Sequence, residues 1–98
     1  MVEEQPMTAA EKLRLIAHKQ AGLRNDRSPI NQRKYERESW AVAKNLFPIS
    51  DEELPQFRTE FQRLSGQIQV DVYDAMHHNM GKKRLNELLG INRAPRRI

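Results

Sequence analysis

Apolar residues recur at helical spacing in several separate segments of the chain, the first close to the N-terminus. Thr8 stands three residues before Glu11, the spacing of a capping box in which a hydroxyl and a carboxylate satisfy free backbone amides. Apolar positions then follow at steps of three and four, as in an amphipathic helix: Leu13, Ile16, Ala17 and Ala21. Gly22 is a residue type that often ends a helix. The pattern predicts a first helix over residues 9–21, preceded by a flexible tail over residues 1–7.

A second helix is predicted from about Pro29 to Leu46. Ser28 is a favoured N-cap residue, and Pro29 falls at the first helical position, where a missing amide costs nothing. Apolar side chains gather late in this segment, in two adjacent rows: Tyr35, Val42 and Leu46, then Trp40, Ala43 and Phe47. The first two turns are basic instead, so we expect the C-terminal half to anchor the helix. Pro48 ends the segment, because the residue before a proline avoids helical geometry.

The most regular apolar stripe follows that proline. Ser50 and Glu53 repeat the capping-box spacing. Apolar residues then continue at steps of three and four: Leu54, Phe57, Phe61, Leu64, Ile68, Val72 and Ala75. This stripe predicts one long helix of about 25 residues, the spine of the fold or a dimer seam. Gly66 interrupts it at a cost of about 1 kcal/mol relative to alanine, so the pattern is also compatible with a break there. Residues 68–72 also alternate as a strand would, but no other segment offers a pairing partner.

A short helix around Leu85, Leu88 and Leu89 is predicted to end at Gly90. Residues 92–98 then form a basic, extended tail. The predicted fold is therefore all-α: a small single-domain bundle of three to four helices with a long third helix, contained in residues 8–91. Residues 84–93 also resemble the middle of a helix-turn-helix. Pro95 and the end of the sequence leave little room for a recognition helix, so an ordinary helix end is favoured.

Composition limits the possible functions. The 98 residues are 38% hydrophobic and 31% charged. Such a lean core indicates either partly disordered ends or burial against a second copy or a partner. There is no cysteine, which excludes disulfides and thiolate metal sites and fits a reducing compartment. No apolar run approaches the roughly 20 residues of a membrane span, and the acidic start lacks the basic region of a signal peptide. We expect a soluble, cytoplasmic protein without a membrane partner.

Charge is distributed in three blocks behind a net charge of +4. Residues 12–37 carry eight basic side chains against two acidic ones. Residues 51–74 carry six acidic side chains against two basic ones, and residues 75–98 carry six basic side chains against one acid. Two basic blocks around an acidic one predict a polyanion-binding surface, with the acidic segment docking either internally or on a partner.

The leading functional hypothesis is a small accessory or regulatory protein that binds nucleic acid, DNA or RNA, through the two basic blocks. The residues expected to contact it are Arg24, Arg27, Arg33, Lys34, Arg37, Lys82, Lys83, Arg84, Arg93, Arg96 and Arg97. The alternative is an adaptor or inhibitor that docks on a larger protein through the acidic and apolar long helix. Aromatic side chains dominate interface energetics, so its expected anchors are Trp40, Phe57 and Phe61. A homodimer is compatible with either of these two hypotheses.

Catalysis, a metal and a cofactor are not predicted. The four glycines are isolated and form no phosphate-binding loop. The serines lack the local sequence of a nucleophile, and two of them fit better as helix caps. Asp71, Asp74 and His78 share a helix face at steps of three and four, which is a usable metal geometry. One helix supplies too few ligands, so we interpret this face as acids paired with nearby Lys and Arg.

Overall fold

A computed structural model describes residues 7–95 and shows five helices. They are α1 Ala9–Asn25, α2 Pro29–Lys44, α3 Leu54–Arg63, α4 Gly66–Met80 and α5 Lys82–Leu89. No strand occurs among these residues, so the predicted all-α class is confirmed, with one helix more than the expected three to four. Within the same range, no helix combines the length and apolar character that a membrane crossing requires.

The first two helices form an antiparallel hairpin with a close contact at Gly22. The predicted cap at Thr8 is confirmed, because its hydroxyl accepts a hydrogen bond from the Glu11 amide at 3.2 Å. The predicted end at Gly22 is wrong, and α1 continues to Asn25. A Cβ atom at Gly22 would lie 3.0 Å from the ring of Tyr35 on α2. The missing side chain at Gly22 therefore serves close packing of the two helices.

α2 begins at Pro29 as predicted and ends at Lys44, two residues before the expected boundary. Ser28 occupies the N-cap position, but its side chain makes no capping hydrogen bond. The Asp26 carboxylate accepts instead, from the Ser28 amide at 2.9 Å and from the Asn31 side-chain amide at 2.7 Å. These two donors lower the pKa of Asp26 below its usual value.

The prediction of a single long third helix is wrong. The chain leaves helical geometry at Leu64 and Ser65, whose ψ angles are 143° and 153°, and α4 begins at Gly66. The Gln69 side-chain amide donates to the Phe61 carbonyl at 3.1 Å, which satisfies one of the free acceptors at the end of α3. The break separates the stripe into two helices that both reach the core. Residues 68–72 are helical, so the competing strand interpretation is excluded.

All five helices contribute to one hydrophobic core. Its buried members are Ala9, Leu13, Ile16, Ala17, Ala43, Leu46, Phe57, Phe61, Val72, Tyr73, Ala75, Met76, Leu85 and Leu89. The buried hydroxyl of Ser39 accepts a hydrogen bond from the Gln20 side chain and donates to the Glu36 carbonyl. The core therefore contains a satisfied polar contact between α1 and α2.

The short last helix is held by its neighbours. Gly90 ends α5 as predicted, in the left-handed conformation at φ 71°. The Ile91 amide donates to the Asn86 carbonyl at 2.9 Å and the Gly90 amide to the Glu87 carbonyl at 3.2 Å, which together form a Schellman motif. Arg58 of α3 donates to the Leu88 carbonyl at 2.8 Å. No helix follows in residues 91–95, so this range contains no recognition helix.

Candidate nucleic-acid interface

The outward face of α2 carries basic and large apolar side chains at helical spacing. At steps of three and four residues these are Ile30, Arg33, Arg37, Trp40 and Lys44, and all of them are exposed. Ile30 is 80% exposed and Trp40 is 47% exposed. We call these five residues the α2 face.

The opposite side of α2 explains why this face points outward. Tyr35 packs over Gly22, and Ser39 and Ala43 are completely buried. Lys19 of α1 forms an ion pair with Glu38 at the edge of the same contact. Burial of one side of an amphipathic helix leaves the other in solvent, so the α2 face is a consequence of the α1–α2 packing.

Trp40 is the first of three neighbouring rings that cross from α2 to α4. Its ring stacks on His78, with centroids 4.9 Å apart and planes inclined by 23°. The His78 ring lies 4.3 Å from that of His77. Burial lowers the pKa of His77, and the positive charges of His78 and Lys82 lower it further, against an opposing effect of Asp74.

Beside Trp40 lies a shallow groove of about 420 Å³. Its lining residues are Arg33, Glu36, Arg37 and Trp40. Two guanidinium groups, one carboxylate and one indole ring therefore surround the same hollow. A further hollow of about 180 Å³ lies between Trp40, His78 and the α1 side of the bundle.

Three of the six acidic side chains of the central block take part in contacts within the fold. Glu60 accepts from Arg14 at 2.8 Å, an ion pair that lowers the pKa of the glutamate. Asp71 binds Arg24 through both carboxylate oxygens. Glu53 accepts from the backbone amide of Ala9 at 3.1 Å, which caps α1 from a distance. Of the two docking modes expected for this block, internal docking accounts for these three acids.

Most of the basic side chains predicted to contact nucleic acid form no ion pair within the described residues. Eight of the predicted contact residues are exposed and take part in no ion pair within residues 7–95. These are Arg27, Arg33, Lys34, Arg37, Lys82, Lys83, Arg84 and Arg93. Arg24 differs from these eight residues, because it is exposed but paired with both carboxylate oxygens of Asp71. Arg96 and Arg97 lie outside the described residues.

The two basic blocks form two patches separated by α4. One lies on α2 and the other on α5, and α4 packs against both of these helices. Lys82, Lys83 and Arg84 line another open hollow together with Met80, Gly81 and Glu87. The tyrosine hydroxyl of Tyr73 donates to Asn86 at 2.6 Å, which fixes α5 on α4. The histidine pair of α4 lies between the patches.

Two of the predicted partner anchors are wrong as surface residues. Phe57 is 0% and Phe61 is 2% exposed, so both side chains belong to the core. The apolar stripe that would have docked on a partner is used to close the bundle. Trp40 alone among the three expected anchors is exposed.

The polar face of α4 is occupied by ordinary contacts. Asp71 binds Arg24, and His78 stacks on Trp40. The imidazole of His77 lies 3.7 Å from the Asp74 carboxylate. Within the described residues, no group of three metal-ligating side chains comes together. The pairing of Asp71 with a basic residue follows the interpretation made from the sequence.

Sequence reasoning did not assign three residues to the candidate interface around the α2 face: Ile30, Lys44 and His78. The first two could have been found by extending steps of three and four from Arg33 along α2. His78 could not, because its contact with Trp40 joins two helices that are distant in sequence. No protein-family model, curated protein or solved structure matches this chain.

Proposed function

We propose that this chain is a small, non-enzymatic, intracellular accessory protein that binds nucleic acid through the α2 face and the basic patch of α5. The observation that supports it best is the asymmetry of charge use. Glu53, Glu60 and Asp71 are engaged within the fold. Among the side chains of residues 7–95 that are exposed and form no ion pair, nine are basic and five are acidic. The α2 face and the basic patch of α5 therefore present more basic than acidic side chains to solvent.

Phosphates are the ligand that such a surface fits. Each Lys or Arg that neutralises a phosphate releases a condensed counterion, and this release drives binding without reading the sequence. Arg33 and Arg37 lie one turn apart on α2, and a guanidinium can hold a phosphate through two parallel hydrogen bonds. Lys82, Lys83 and Arg84 supply a second set of contacts on α5. DNA and RNA share this phosphate chemistry.

The proposal predicts that substitutions in the patches weaken binding without unfolding the protein. Arg37→Gln should reduce affinity about fivefold near 0.1 M salt and reduce the slope of log K against log salt by about 0.7–0.9, since one phosphate contact is lost. Charge reversal in the double variant Lys82→Glu/Lys83→Glu should weaken binding further and flatten the slope more. Fluorescence anisotropy with labelled oligonucleotides measures both quantities.

The matched control is Arg63→Gln, which removes the same charge from an exposed site on α3, outside both patches. It should lose much less affinity than Arg37→Gln. Equal losses of affinity in the two variants would mean that binding depends only on the net charge of the protein. That result would contradict the assignment of the α2 face as a binding surface. Unchanged binding in Lys82→Glu/Lys83→Glu would show that the α5 patch is not part of the binding surface.

A second candidate function is docking on a protein, and one observation favours it. Ile30 is 80% exposed on the same face as Trp40, and nucleic-acid phosphates do not require an isoleucine. The oligomeric state measured by sedimentation separates the options. A monomer that exposes this face favours a larger protein partner, whereas a tight dimer favours a two-fold nucleic-acid binder.

A further inference from the structure

We infer that the groove beside Trp40 binds an unstacked base, and that the protein therefore prefers single-stranded to duplex nucleic acid. This inference rests on the proposed function and specifies its ligand. It follows from the position of the indole ring, the charges that line the groove and the geometry of bases in a duplex. The experiment below separates its failure from that of the proposed function.

The indole ring of Trp40 is both exposed and held in place. Half of its surface faces solvent, while His78 stacks against it at a centroid distance of 4.9 Å. A ring that is fixed by one stacking partner loses little freedom when a second ring is added. Base–aromatic stacking tolerates every base, because each base has a π-face.

The charges around the groove place the phosphates at its rim. Arg33 and Arg37 line the hollow together with Trp40, so a strand whose base lies on the indole can direct its phosphates to the guanidinium groups. Glu36 also lines the groove and repels phosphates from its interior. The hollow itself is therefore suited to an uncharged ring, with the negative backbone outside.

A duplex cannot use this arrangement. Its bases are stacked on each other and paired, so no base face is presented to a surface ring unless the base is unstacked at a cost of a few kcal/mol. Phosphate contacts at Arg33, Arg37 and the α5 patch remain open to both forms. Trp40 consequently adds affinity for single strands and very little for duplexes.

The sequence contains one tryptophan and two tyrosines, so emission excited at wavelengths that tyrosine does not absorb reports on Trp40 alone. We expect short oligothymidylate to quench the Trp40 emission as it binds. An abasic oligonucleotide of the same length keeps the phosphates and lacks the bases. The abasic oligonucleotide should bind more weakly than oligothymidylate and leave the Trp40 emission nearly unchanged. Heparin supplies negative charge without a base and should also leave the emission nearly unchanged.

Variants at Trp40 test the ring itself. Trp40→Phe retains a stacking face and should stay within a few-fold of the wild type. Trp40→Leu retains apolar bulk without a π-face and should lose about tenfold or more in affinity for oligothymidylate, with duplex binding unchanged. Met7→Ala removes another exposed apolar side chain, outside both patches, and is the control that should leave both affinities unchanged. Circular dichroism verifies that each variant is folded.

The outcomes distinguish the two proposals. If the wild type binds neither oligothymidylate nor duplex DNA at low salt, the proposed function fails and the inference fails with it. If duplex and single strand bind equally and Trp40→Leu affects neither, the inference is overturned while phosphate binding stands. Equal losses for both ligands in Trp40→Leu would make Trp40 a general contact and would also overturn it.

Discussion

Gly22 shows how one residue type can serve two different purposes. A glycine after an apolar helical run is typical of a helix end, and the sequence predicts that role. In the structure α1 continues through it, because the ring of Tyr35 lies where a side chain would be. Gly90, by contrast, has the predicted role, at φ 71°. Caps and turns are local and were predictable at Thr8 and Gly90, whereas Gly22 depends on a contact with α2.

At this scale we predict strong coupling between Gly22 and Tyr35. Alanine usually stabilises a helix interior by about 1 kcal/mol relative to glycine. In Gly22→Ala that gain should be cancelled or exceeded by crowding against the Tyr35 ring. In a Tyr35→Ala background the same substitution should be stabilising. Urea unfolding of the four proteins in a double-mutant cycle measures the coupling, expected to be about 1 kcal/mol or more. Additive effects would contradict the contact.

At the scale of elements, the break between α3 and α4 is the feature that periodicity could not locate. Phe57 and Phe61 before the break and Val72 and Ala75 after it all reach the same core, so apolar spacing continues across two helices as it would along one. Ser65 followed by Gly66 is typical of a helix start and was the available local indication. The docking of α5 depends on Arg58, whose contact spans 30 residues of sequence, and no pattern predicts it.

Arg58 gives the prediction for this scale. Its guanidinium donates to carbonyls of the last turn of α5 and complements the negative end of that helix. Arg58→Met should destabilise the docking of α5 by about 1–2 kcal/mol, seen as faster amide hydrogen exchange in α5 and little change in α1. Arg63→Met on the same helix is the control. If α5 amides exchange at the wild-type rate in Arg58→Met, Arg58 does not hold the helix.

For the whole molecule, charge is the property that the fold redistributes most. Seventeen basic and thirteen acidic residues give little indication of which side chains remain exposed. The three charge blocks predicted a polyanion-binding surface and an acidic segment that docks either internally or on a partner. Glu53, Glu60 and Asp71 make contacts within the fold. The partners could not be predicted, since Arg14–Glu60 and Arg24–Asp71 join positions 46 and 47 residues apart.

The most direct measurement is the salt dependence of binding between the wild-type protein and a labelled single-stranded oligonucleotide. With three to six phosphates neutralised by the two patches, log K should fall linearly with log salt at a slope of about −2 to −4. Such a slope, with binding that persists near physiological salt, is the result expected from the exposed basic side chains. A slope near zero, or no binding at low salt, would contradict a phosphate-binding surface on α2 and α5.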